Sequence, residues 1–154
     1  MFVLFALIAF VPAIVYAQTP VQACTTGPLP KAVYFGGKDN FCTAPPCDVF
    51  RGSDGLTEVD FSSAFPTNTI RPNVRARVFG ITIDYQLPDE VVNNSCGVSL
   101  TRGSCPLAVG ADTTFRLQMP VETSSPRVTT EVTFTLFGDN NQVIFCYRIQ
   151  TRVV

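Results

Sequence analysis

Six cysteines are the residues of this chain best placed to do chemistry, at positions 24, 42, 47, 96, 105 and 146. Cys42 and Cys47 are close in sequence, as are Cys96 and Cys105, whereas Cys24 and Cys146 lie near opposite ends. Thiols spaced in this way can bind a metal or oxidise to disulfides. Cys42-Thr-Ala-Pro-Pro-Cys47 falls within the zinc-ligand range, but the chain holds no histidine, and eight residues separate the second close pair. An even count behind an export signal reads instead as a disulfide framework. Spacing alone leaves the connectivity open. A bridge from Cys24 to Cys146 would close a loop of over a hundred residues. In the chain-entropy picture such a loop contributes on the order of 4–5 kcal/mol.

The absence of histidine removes the commonest general base and the commonest nitrogen ligand for transition metals. Ser-His and Cys-His nucleophile pairs are therefore impossible. Glu58, Asp60, Asp84 and Glu90 read as solvated charges, because no paired-carboxylate constellation can be located. The chain is expected to be no enzyme and to need neither cofactor nor metal. A net charge of −1 argues against a nucleic-acid partner.

Met1 to Tyr16 carries no charged side chain, Phe2 to Val11 is an apolar run, and Val15-Tyr16-Ala17 offers small residues for cleavage before Gln18. Residues 1–17 are thus expected to be a signal peptide and 18–154 a single secreted domain. No second apolar run approaches membrane-spanning length.

Strand patterns must position these residues. Val128, Thr130, Val132, Phe134 and Leu136 alternate with Arg127, Thr129, Glu131, Thr133 and Thr135. The turn formers Gly138-Asp139-Asn140-Asn141 follow, and then Val143, Phe145, Tyr147 and Ile149 alternate with Ile144, Cys146, Arg148 and Gln150. The two runs predict a long antiparallel hairpin. Phe115, Leu117 and Met119 form a further stripe ended by Pro120, and Val59 and Phe61 another. Lys31 to Phe35 reads as a first strand. Val74, Ala76 and Val78 share one phase while Phe79, Ile81, Ile83 and Tyr85 take the other, so a bulge is expected beside Gly80. Strands separated by Pro- and Gly-rich loops, with no helical period, predict an all-β, immunoglobulin-like two-sheet sandwich. Asn93-Asn94-Ser95 is a glycosylation sequon at Asn93 in a polar loop. By pattern alone, stripes of Phe, Val and Ile are the filled core of such a sandwich.

The ordered set of Cys24, Cys42-x4-Cys47, Cys96, Cys105-Pro106-Leu107, Met119-Pro120-Val121 and Val143-Ile144-Phe145-Cys146-Tyr147-Arg148-Ile149 resembles the ML lipid-recognition domains. The resemblance runs from Cys24 to Val154 and is to the branch of small secreted Niemann-Pick type C carriers. It implies about seven strands in two sheets that splay apart around an apolar cavity. It also implies the pairing Cys24–Cys146, Cys42–Cys47 and Cys96–Cys105. Tyr85 matches the family's aromatic at the pocket mouth, and Met119-Pro120-Val121 its entry segment. Phe134 and Tyr147 match two aromatics that are often Trp. Ser125 stands where the sterol carriers have a gating Tyr, which should widen the mouth.

The lipid-binding set expected on this basis is Val59, Phe61, Ile83, Tyr85, Met119, Pro120, Val121, Ser125, Phe134 and Tyr147. The implied activity is that of a monomeric secreted carrier for a small hydrophobic ligand, sterol-like or fatty acid-like. It would hand its ligand to a membrane or lipid-receptor protein, either outside the cell or after lysosomal delivery. The competing readings are a recognition module that presents microbial glycolipid to an immune receptor, and a disulfide-stabilised interaction domain with no ligand.

Overall fold

The computed structural model describes residues 18–154, so the expected leader, 1–17, lies outside the described residues. The alternating stripes at the C-terminal end form β9 (Thr129–Phe137) and β10 (Val143–Val153), paired antiparallel from Val143↔Phe137 to Arg152↔Thr129. Alternation places Phe134 and Leu136 of β9 on the same inner face as Phe145, Tyr147 and Ile149 of β10, and all five are buried. Between the strands, Asn140 and Asn141 take φ of 56° and 60°, the left-handed region that asparagine tolerates. The Asp139 carboxylate in this turn accepts hydrogen bonds from the backbone N–H and side chain of both Asn68 and Thr69. These bonds, the Asn68 backbone N–H first, hold its carboxyl down at about 2 and dock the turn on the 67–69 loop.

The larger sheet runs β1 (Gln22–Ala23), β10, β9, β5 (Arg71–Val78), β6 (Ile81–Asp84), with β3 (Cys47–Val49) parallel to the end of β10. The smaller sheet runs β2 (Ala32–Phe35), β4 (Asp54–Phe61), β8 (Thr113–Pro120), β7 (Leu100–Arg102). The all-β two-sheet architecture is as expected. Among the described residues ten strands replace the expected seven or so because β1, β3 and β7 are pieces of two or three residues, too short to carry a pattern.

Two local expectations are corrected. The phase switch beside Gly80 is a hairpin turn, not a bulge. Val78 pairs with Ile81, and Phe79 and Gly80 between them take φ of 51° and 81°. A two-residue loop with both central residues at positive φ reverses the chain, so the stripe changes phase because it changes strand. Helical turns also occur where a loop was expected: α1 (Asp89–Asn93) and α2 (Ser95–Val98). At five and four residues they hold little more than one turn each, too little for a 3.6-residue period.

Disulfides join Cys24 to Cys146, Cys42 to Cys47 and Cys96 to Cys105, leaving no free thiol. The first fastens the N-terminal segment across β10 over a sequence separation of 122. Among the described residues no helix is long and apolar enough to cross a membrane.

One half of the sandwich is filled by aromatic rings from both sheets. Phe61 of β4 meets Phe145 of β10 at 5.1 Å between centroids, and Phe115 of β8 meets Phe134 of β9 at 5.8 Å. Phe134 stacks on Phe145 and on Tyr147, at 5.8 and 5.4 Å. Such offset and edge contacts add to the burial energy of the rings and draw the sheets together.

Candidate functional site

The sheets part beyond this aromatic block. Register places Val74, Phe134 and Tyr147 in one row across the larger sheet, and Phe35, Thr57 and Leu117 in one row across the smaller. The Tyr147 hydroxyl and Thr57 Oγ1, 3.0 Å apart, join the two rows through the core. Burial pushes the Tyr147 hydroxyl well above the ordinary tyrosine value, so it stays protonated and can donate. One step further along the strands, the inward positions shrink. Gly55 of β4 and Ala76 of β5 take over from Thr57 and Val74, and on β9 and β10 the aromatic pair Phe134↔Tyr147 gives way to Val132↔Ile149 and then to Thr130↔Thr151. Small side chains on strands held apart by large ones cannot meet, and a cavity of about 310 Å³ remains.

Its walls are almost wholly apolar. Val74, Ala76 and Val78 of β5, Ile83 of β6, and Val132 and Thr130 of β9 line the larger-sheet side, with Val128, Thr151, Val153 and Val49. Phe35, Gly55, Met119 and Pro120 line the smaller-sheet side, and Val121, Ser125 and Pro126 come from the loop after β8. None of these side chains is charged. The outer face of β5, β9 and β10 carries a second depression, but Arg75, Arg77, Glu131 and Arg148 make that one polar.

At the mouth, Tyr85 continues the larger sheet through its N–H, which donates to Val74 O at 2.9 Å. Its hydroxyl donates to Pro120 O at 2.7 Å, on the end of β8 in the smaller sheet. Partial burial raises the Tyr85 pKa above the ordinary value, and the Glu122 and Asp54 carboxylates add to the effect. The β5–β6 turn stands beside the mouth with its apolar residues in solvent: Phe79 is 89% exposed, Ile81 66% and Ile83 56%.

Of the residues expected to meet a ligand, the structure brings Ile83, Tyr85, Met119, Pro120, Val121 and Ser125 together around this cavity. Val59, Phe61, Phe134 and Tyr147 do not line it. Each is at most 1% exposed and lies in the closed half or in the floor, because the rings of the two sheets meet there instead of standing apart. Asn93 is exposed at the end of α1, and the neighbouring Ser95 is buried with its hydroxyl donating to Val91 O.

Sequence reasoning missed the small lining residues Gly55, Ala76, Thr130 and Thr151. A signal was present. The inward stripe of β9 tapers from Leu136 and Phe134 to Val132, Thr130 and Val128, and that of β10 from Tyr147 to Thr151 and Val153. Only the strand register shows that both tapers point to the same end.

The family model for the ML domain matches residues 18–153. Among curated proteins, the chain is 26% identical over 114 residues to "NPC intracellular cholesterol transporter 2" of Canis lupus familiaris, covering 74% of this chain and 72% of that protein. The counterpart of Sus scrofa is 25% identical over the same length and shares of coverage. Among solved structures, a Niemann-Pick type C2 protein from Japanese carpenter ant superposes with a TM-score of 0.73 at 12% identity, covering 88% of this chain and 99% of that one. That likeness concerns the fold. The family match spans nearly every described residue, and the chain belongs to the ML domain family.

Proposed function

We propose that this protein is a secreted, non-enzymatic carrier that holds one hydrophobic molecule between its sheets. The observation that supports it most is the uncharged apolar cavity in the open half of a sandwich whose other half is tightly filled. A filled interaction domain would have no use for such a gap. The cholesterol-transporter relatives support the same class of ligand.

Size narrows the ligand. A methylene group occupies about as much space as a water molecule, roughly 30 Å³, so about 310 Å³ takes roughly ten of them. At about 0.8 kcal/mol per methylene removed from water, ten give about 8 kcal/mol before ordering costs. That driving force comes from the tail alone, with no charged partner, and the affinity is what remains of it after those costs. A single alkyl chain fits this volume better than a full sterol, which would require the sheets to part further. Ser125, too small to gate the mouth, suits a range of chains.

In this reading the exposed Phe79 and Ile81 turn marks where the ligand leaves. An apolar tip beside the mouth, with Arg75 and Arg77 just behind it on β5, complements an anionic membrane surface. Delivery outside the cell or to lysosomes, a glycan on Asn93 and a monomeric working state belong to the same proposal.

Val121→Phe tests it. Placed in the mouth, the larger ring should weaken binding of a fluorescent alkyl-chain probe at least about tenfold, with the urea midpoint nearly unchanged. Normal binding by the folded variant would reject the proposed site.

A further inference from the structure

We infer that the hydrogen bond from the Tyr85 hydroxyl to Pro120 O is a latch that holds the mouth closed and sets how fast ligand enters and leaves. The inference rests on the carrier reading and goes beyond it by assigning a kinetic role to one hydroxyl. Tyr85 belongs to the larger sheet, through its N–H to Val74 O, and Pro120 to the smaller, through its pairing with Asp54. Their 2.7 Å bond therefore ties one sheet to the other at the cavity they both line. It mirrors the Tyr147–Thr57 bond at the other end of the cavity, with one difference in surroundings. Tyr147 is wholly buried, whereas Tyr85 is partly open to water. A hydroxyl that can exchange its protein partner for water can release at little cost, as a gate must. The buried pair lacks that exchange and stays shut. Burial and the nearby Glu122 and Asp54 carboxylates keep the Tyr85 phenol protonated, so the donor is present throughout the neutral range.

Position 125 strengthens the assignment. With serine there, no aromatic ring from the loop after β8 covers the mouth, and of the two aromatic residues described in the cavity lining, Phe35 and Tyr85, it is Tyr85 that bridges to the opposite sheet. Its ring covers apolar surface while its hydroxyl spans the gap, so both halves of the side chain contribute to closure. The latch touches the opposite sheet and not the deep wall of the cavity. It should therefore alter the barrier to passage and leave the bound state alone.

Tyr85→Phe keeps the ring and removes only the bond. Stopped-flow mixing with 11-(dansylamino)undecanoic acid should show association and dissociation rate constants both rising about 3- to 10-fold, with their ratio within about twofold of the parent protein. Unchanged rates in the folded Tyr85→Phe protein would overturn the latch. So would a rise in dissociation alone, which would place the hydroxyl on the ligand. If the parent protein takes up no probe, the carrier reading itself fails, a result visible before any variant is compared.

Discussion

The Tyr147 hydroxyl and Thr57 Oγ1 meet at 3.0 Å at the level where the sandwich passes from filled to hollow. On one side of this pair, aromatic rings from both sheets interlock. On the other, Gly55, Ala76, Thr130 and Thr151 line the cavity between the sheets. The pair thus does structural work for the cavity without lining it, by fixing the spacing of its floor.

Thr57→Val should leave the Tyr147 hydroxyl without a partner in the core, at a cost of about 1–3 kcal/mol in urea unfolding. Adding Tyr147→Phe should then cost less than the sum of the two single changes, because the second removes the orphaned group. The same hydroxyl shapes the alkaline limb. Burial raises its folded pKa above the ordinary value of 10.0, so the unfolded chain releases this proton first. The stability it contributes is complete below about pH 10 and is lost as pH rises beyond. Tyr147→Phe should flatten the fall of the urea midpoint with pH in that range. An alkaline slope identical to the parent's would contradict the assignment.

Core and lining separate by substitution. Phe61→Ala empties a site packed by Phe145 and should cost about 3–5 kcal/mol. Gly55→Val does the opposite. A Cβ there meets only ordinary contacts, Met119 O at 3.5 Å and a Val49 methyl at 3.8 Å, so the new side chain extends into empty space. Alkyl-chain binding should fall at least about fivefold while stability holds or rises slightly, since glycine is costly in a strand. Undiminished binding by Gly55→Val would place the ligand elsewhere.

The exposed turn invites a charge. Phe79→Asp should leave uptake of a soluble probe intact and reduce transfer of that probe to anionic phosphatidylserine vesicles at least about threefold. Because Phe79 sits at φ 51°, where a bulky residue is strained and aspartate is tolerated, stability should not fall. Equal transfer rates to anionic vesicles would dissociate the turn from hand-off.

Much of this arrangement was legible beforehand, for identifiable reasons. The β9–β10 hairpin is long, alternates cleanly and is punctuated by Gly138-Asp139-Asn140-Asn141, so period and turn agreed. The mouth residues Tyr85, Met119, Pro120, Val121 and Ser125 could be placed because the cysteine and proline landmarks around them are ordered as in the family. The pattern alone reads Phe61, Phe134 and Tyr147 as core, and the family resemblance points them to the ligand; an aromatic stripe looks the same whether it faces a cavity or another ring. That choice depends on what the opposite sheet presents, which is a matter of register between strands distant in sequence. The turn at Phe79-Gly80 was obscured for a related reason. Phenylalanine is an unusual occupant of a positive-φ turn position, so the Gly80 signal suggested a bulge and not a reversal.

Native mass spectrometry of the protein purified from its source, compared with Val121→Phe prepared alike, tests the hollow interior most directly. The account predicts that the parent carries one small, hydrophobic molecule in one-to-one ratio and that the variant is largely empty. A parent protein that flies at its bare polypeptide mass, and gains nothing when incubated with long-chain acids, alcohols or sterols, would contradict it.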